Sequence, residues 1–205
     1  MPSNTPHQIV NISGKGKLNA VDDQYVGGPV NQLTGLPFYR GQLGAKLAVD
    51  HEHAADLSDT SVATLYGGIY RYVQTKAGST AAPARGLVAF YATAADVQAD
   101  VVTPDAPAND GCIAGIYISA PTKGQYCWIQ VSGLAGVKFR ASITRATPAA
   151  QCMVYVQSGT NVADQIEDNT NITESVLRRV LGVAAETPVG AAIKLVELWE
   201  RFVNY

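Results

Sequence analysis

His51-Glu52-His53 sets two imidazoles two residues apart, a spacing that on a β-strand would put both on one face and offer two ligands to a metal ion. Two ligands are half of a zinc site, and the sequence names neither a third nor a fourth. Solvated histidines in a polar loop are the favoured reading. The three cysteines, Cys112, Cys127 and Cys152, are odd in number and form no C-x-x-C pair. Cys112 and Cys127 lie on the two arms of a hairpin-like segment and could face each other across it, but cysteine more often serves as a small buried apolar residue. A cysteine nucleophile also needs a base oriented by a third group. His7, His51 and His53 are the only histidines, and none stands in a recognisable motif.

The acids are no more persuasive. Two carboxylates do general acid and base work only when their environments separate their pKa values, and Asp22-Asp23 and the run Asp164 to Asp168 sit in polar segments expected to be wet. Gly14-Lys-Gly-Lys17 lacks the spacing and the preceding strand of a phosphate loop, and there is no G-x-S-x-G and no G-x-G-x-x-G between strand and helix. Trp128 and the tyrosines could stack on a sugar, although core or interface anchors are the commoner use of such residues. No catalytic, metal or cofactor-binding residue is assigned, and the chain is expected not to be an enzyme.

The elements that would position these residues are strands. A segment from Cys112 to Val131 returns as Arg179 to Leu198, with Gly115 and Gly182, and Pro121 and Pro188, offset by the same interval; Gly124 and Gly190 differ from it by one residue. In each copy an apolar run ends at a Pro and Gly turn and a second alternating run follows, which predicts a duplicated β-hairpin. Ala191 to Val203 could also be drawn as an amphipathic helix, but the match to the first copy and the breakers Pro188 and Gly190 favour a strand.

Upstream, Gly41–Val49 alternates as a strand would, and Asp50 to Asp59 reads as a polar loop. Val62–Gln74 predicts a strand with Tyr70 and Tyr72 on one face and Ile69, Arg71 and Val73 on the other. Leu87–Ala92 reads as a buried strand, Ser132–Gly136 as a turn, Val137–Ile143 and Gln151–Gln157 as strands, and Ser158–Ser175 as a loop or short helix. Residues 1–40 carry many breakers and little periodicity, which predicts an extended N-terminal arm. The organisation expected is all-β: an arm over 1–40, a small β-barrel or β-tulip domain over 41–145 with the first hairpin, and a β-segment over 146–205 with the second, packing on the same or an adjoining β-domain.

Composition narrows the partners. Hydrophobic residues make up 47% and charged residues only 16%, with 19 glycines, 10 prolines and 10 tyrosines, which suits β-structure with many turns, or a surface partly covered by neighbours. A net charge of −2 with 15 scattered Lys and Arg gives no basic field for nucleic acid. No apolar run approaches the roughly 20 residues of a spanning helix, and the first residues lack a secretory pattern. A soluble protein made in the cytoplasm is expected.

From Leu65 to Gly133 the sequence resembles the head decoration, or capsid cement, proteins of tailed bacteriophages. The residues that carry this are Gly68-Ile-Tyr-Arg-Tyr-Val-Gln74, Gly86-Leu-Val-Ala-Phe90, Val102-Thr-Pro-Asp105 and Ile113-Ala-Gly-Ile-Tyr-Ile-Ser-Ala-Pro-Thr-Lys-Gly-Gln-Tyr-Cys-Trp-Ile-Gln-Val-Ser-Gly133. About a third of the chain is covered well and the second copy more loosely. The resemblance implies a small β-barrel or β-tulip domain on the outside of a virion, bound to the major capsid protein, acting as a homo-oligomer, as a trimer by expectation, and reinforcing the shell without catalysis. A tail or fibre protein, and a carbohydrate-binding module or small hydrolase, are the alternatives. The long arm and the second copy depart from the shortest members of that family.

Overall fold

In the computed structural model, the described residues are 43–44, 46–54, 58, 64–107, 112–145, 148–157, 159–165 and 177–199, so the expected arm over 1–40 lies outside them. Among the described residues the chain forms β1 (Lys46–Val49), α1 (His51–Ala54), β2 (Gly68–Thr75), β3 (Val88–Tyr91), α2 (Ala94–Gln98), β4 (Val101–Val102), β5 (Cys112–Tyr117), β6 (Tyr126–Lys138), β7 (Met153–Val156), β8 (Ala163–Gln165), β9 (Val180–Ala184) and β10 (Ile193–Leu198). The fold of the described residues is all-β. The strands make one sheet in the order β1-β2-β6-β10-β9-β7-β8, with β5 and β3 branching from β6 and β4 beside β2. Pairing is antiparallel except between β2 and β4.

The branch comes from the length of β6. Its Ile129 and Gln130 pair with β5 as well as β2, and Gly133 pairs with both Gly68 of β2 and Leu198 of β10. β2 therefore occupies one edge of β6, while β5 and then β10 share the other. The expected turn at Ser132–Gly136 is instead the middle of this strand. Its glycines allow a close crossing, not a chain reversal: a Cβ on Gly133 would stand 2.3 Å from the Gly67 carbonyl oxygen. The sheet is open, so the expected barrel does not close as a ladder. One isolated bridge, Phe139 to Ala163, and the Arg140 N–H bond to the Ala163 carbonyl bring its far end back to the end of β6.

Three further expectations are corrected. Of the strand expected over Gly41–Val49, Lys46–Val49 is strand while Leu43 and Gly44 lie in a turn, a short helix occupies His51–Ala54 where a polar loop was expected, and Ala163–Gln165 is a strand inside the stretch read as loop or helix. The buried strand expected at Leu87–Ala92 is β3. It shows no alternation because both of its faces are covered: Val88 and Phe90 join one core with Ile116, Val137, Val154, Leu181 and Val196, while Leu87, Ala89 and Tyr91 join a second with Val73, Tyr117, Cys127 and Ile129. A third core gathers Tyr70, Tyr72, Trp128, Leu65 and Val49 on the other side of β2 and β6. The tyrosines of β2 thus share a face opposite Val73, as their alternation predicts.

Both copies of the hairpin form, and β10 excludes a helix over Ile193–Leu198. They are identical in register. Tyr117–Ile129 and Ile116–Gln130 in the first correspond to Ala184–Val196 and Val183–Glu197 in the second, 67 positions on along each arm. Gly115 and Gly182 occupy the same tight crossing, where a Cβ would meet the carbonyl oxygen of Gln130 at 2.6 Å and of Glu197 at 1.8 Å. The turns match too, with Gln125 N–H donating to Thr122 O at 3.1 Å and Ala192 N–H to Val189 O at 3.2 Å.

The duplication extends beyond the hairpin. β3 against β5 and β7 against β9 carry the same bulge: Ala89–Gly115 steps to Phe90–Ile113, and Val154–Gly182 steps to Tyr155–Val180. Gly86 N–H bonds Tyr117 O and Tyr117 N–H bonds Leu87 O; Gln151 N–H bonds Ala184 O and Ala184 N–H bonds Cys152 O. Phe90 pairs with Thr103 as Tyr155 pairs with Asp164. Each copy is a return segment, a first strand and the two hairpin arms.

At two turns of this unit the first copy has glycine and the second does not. Gly86 and Gly124 take φ values of 82° and 86°, and their counterparts Gln151 and Ala191 take 62° and 60°. The counterpart of Gly124 is thus Ala191, while the neighbouring Gly190 approaches the Ala141 carbonyl, where a Cβ would lie at 2.1 Å. Left-handed backbone is costly for a residue with a Cβ, and both side chains are exposed. Gln151→Gly and Ala191→Gly are each expected to stabilise the protein by about 0.5–1 kcal/mol, net of the flexibility glycine adds to the unfolded chain. Thermal unfolding checks this, as a rise of roughly 2–3 °C per substitution.

Candidate interaction surface

Among the described residues, several groups that the sequence offers for chemistry hold the fold. His51 stands in α1 and its ring stacks on Tyr66, centroids 6.2 Å apart. The side chains of Glu52 and His53 lie outside the described residues, as do His7, Lys15, Lys17, Asp22, Asp23 and Asp168. A helix puts positions two apart on different faces, so the shared strand face on which a two-histidine metal site depended is gone. Among the described residues no three His, Cys, Asp or Glu are grouped to hold a metal.

Cys112 and Cys127 do not oppose each other: Cys112 pairs with Tyr91 and Cys127 with Val73. All three cysteines are free thiols. Cys127 is completely buried as a core residue, and burial pushes its thiol pKa up. Trp128 is buried against Tyr72, ring centroids 5.2 Å apart, and so is an anchor of the third core, not a stacking surface.

Two ion pairs could not be found from sequence pattern, because their partners come from separate elements. Asp164, expected to be wet, is fully buried. Its carboxylate accepts from Thr144 N at 2.8 Å, Thr144 Oγ1 at 2.5 Å, Gln165 N at 2.8 Å and Arg140 Nη1 at 3.1 Å. It ties the segment after β6 to β8. Asp100 meets Arg71 Nη2 at 2.5 Å and Tyr91 Oη at 3.4 Å, and the Arg71 guanidinium lies 5.8 Å over the Tyr91 ring. Burial raises the Tyr91 pKa to about 12, so its hydroxyl remains a proton donor to Asp100 at neutral pH.

Two concavities remain. A cleft of about 350 Å³ lies between the hairpins, lined by Tyr66, Arg85, Gln130, Glu186 and Lys194 among others. Its size suits a small ligand, but two of its main polar groups are engaged within the protein. The Glu186 carboxylate accepts the Leu195 N–H at 2.8 Å and Lys194 Nζ at 3.2 Å, which holds its pKa below the usual range, and the Gln130 amide donates to the Ser132 and Leu134 carbonyls.

The second concavity is a notch of about 40 Å³ where β5 leaves the edge of β6 and β10 begins. Ile116, Leu181 and Leu198 line it, with Lys46, Arg71 and Trp199. It is far below the roughly 300 Å³ of the smallest ordinary ligand pockets and suits the tip of one side chain. Trp199 is 49% exposed, and with Leu177 at 55% and Val189 at 56% it completes the exposed large apolar residues among those described. All three belong to the second copy or its approach.

No helix among the described residues is long and apolar enough to cross a membrane. No family model matches the chain, and no curated protein matches it. A solved structure similar to it is the head fibre gp8.5 N base of bacteriophage phi29, at 12% identity and a TM-score of 0.39, the match covering 66% of this chain and 99% of that one.

Proposed function

We propose that the protein is a structural component of a phage head that binds the outer surface of the capsid and reinforces it, without catalysis and as a symmetric oligomer, a trimer in the simplest case. The observation that carries this reading is where the residues of the decoration-protein resemblance stand. Gly68, Gly115 and Gly133 each sit where a Cβ would strike an opposing backbone carbonyl oxygen, and Tyr72, Phe90 and Trp128 are core. These residues of the resembling segment serve the scaffold, which supports a protein that acts through the surface it presents.

A lattice of identical capsid subunits favours a closed oligomer, because one patch can then be matched at each symmetry axis. Many modest contacts acting together hold the shell against internal pressure. Fractionation of virions tests the reading: the protein is expected with DNA-free heads and absent from purified tails. Recovery with tails, or from the soluble fraction only, would reject it, and sedimentation equilibrium reads the oligomer directly.

A further inference from the structure

We propose that the open end of the second hairpin, with Trp199 over the notch and Lys46 and Arg71 at its rim, is the surface that docks on the capsid, and that it receives an acidic side chain flanked by an apolar one. This rests on the function proposed above and names the docking surface within it.

The duplication supplies the argument. The structural counterpart of Trp199 is Ser132, and that of Val189 is Thr122, each 67 positions earlier. The hairpin arms pair in the same register with a small polar residue at each of these places, although Ser132 continues β6 while Trp199 follows the end of β10, so pairing of the arms requires neither apolar side chain. A half-exposed tryptophan costs solubility and favours association, and Trp and Arg are the residues that most often carry binding energy at protein interfaces. Trp199 N–H donates to Leu181 O, which fixes the backbone from which the indole projects. Leu177 precedes β9 and Trp199 follows β10, so both stand at the same open end, whereas Val189 is at the opposite, turn end.

Charge selects the occupant. Ile116, Leu181 and Leu198 line the notch, Lys46 is exposed, and Arg71 is paired with Asp100. The two charged residues that line the notch, Lys46 and Arg71, are both cationic. A partner carboxylate is attracted to that rim while an adjacent apolar group fills the floor and covers the indole. A wet polar or basic partner surface would meet neither demand.

The test uses heads of the parent phage stripped of the protein and then re-decorated with wild type, Trp199→Ala, Lys46→Glu or Val189→Ser, each first shown to melt as wild type does. Trp199→Ala is expected to bind roughly 30-fold more weakly, and Lys46→Glu at least about tenfold more weakly at low salt with a shallower salt dependence. Val189→Ser is expected to bind as wild type does. Trp199 emission shifts to the blue on docking, against a constant contribution from buried Trp128. If both Trp199→Ala and Lys46→Glu bind as wild type does, the docking surface lies elsewhere and the proposed function stands. If wild type itself fails to bind stripped heads, the proposed function falls and this surface with it.

Discussion

Gly182→Ala is expected to cost about 3 kcal/mol or more and Gly115→Ala about 2 kcal/mol, whereas Gly124→Ala costs only about 1 kcal/mol. The ranking follows from what each added methyl meets. At Gly182 it would stand 1.8 Å from the Glu197 carbonyl oxygen, at Gly115 2.6 Å from that of Gln130, and at Gly124 no closer than 3.5 Å from the Ala77 methyl. A backbone oxygen cannot rotate away as a side chain can, so the first two substitutions force the hairpin arms apart and weaken β9–β10 or β5–β6 pairing. Gly124→Ala meets only the left-handed backbone cost. Denaturant unfolding of the three variants measures this, and a loss at Gly182, where φ is not positive, no larger than that at Gly124 would show that the crossing is not what glycine serves there.

Asp164→Ala is expected to lose about 2–3 kcal/mol, because it removes from a buried position the acceptor of the Thr144 and Gln165 N–H groups and of Arg140, although Arg140 is one-third exposed and keeps its bond to Gln157. That corresponds to a fall in melting temperature of roughly 5–10 °C. Asp164→Asn is expected to fall between the two. Its carbonyl oxygen can still accept the Thr144 and Gln165 N–H groups, but its amide nitrogen would face Arg140 Nη1. Thermal melts of both variants read this directly. A loss below about 1 kcal/mol for the alanine variant would place Asp164 in solvent, as a surface pair would behave.

The hairpins were legible because their constraint leaves a mark that sequence preserves: Gly115 and Gly182 each approach a carbonyl, and Pro121 and Pro188 are both buried at their turns. The first strand of each unit is legible as a strand, but it leaves no mark of its duplication. Val88-Ala-Phe-Tyr91 and Met153-Val-Tyr-Val156 need only be apolar, and many residues satisfy that. β6 was cut in two by reading Gly133 and Gly136 as turn signals when they mark a crossing and a close approach. Asp164 was placed in water because a run of polar residues reads as loop, and its partners Arg140 and Thr144 come from a segment about 20 residues away. The notch was beyond the sequence altogether, since it exists only where β5 and β10 part along one edge of β6. Even so, the residue that makes it distinctive could be found by aligning the two copies, which sets Trp199 against Ser132.

Release of the genome from heated heads tests the central claim most directly. Heads stripped of the protein are expected to release their DNA at a lower temperature than intact heads, and re-addition of the purified protein is expected to restore the original temperature. Stripped, intact and re-decorated heads that fail at the same temperature would contradict reinforcement, even with the protein seated on the capsid.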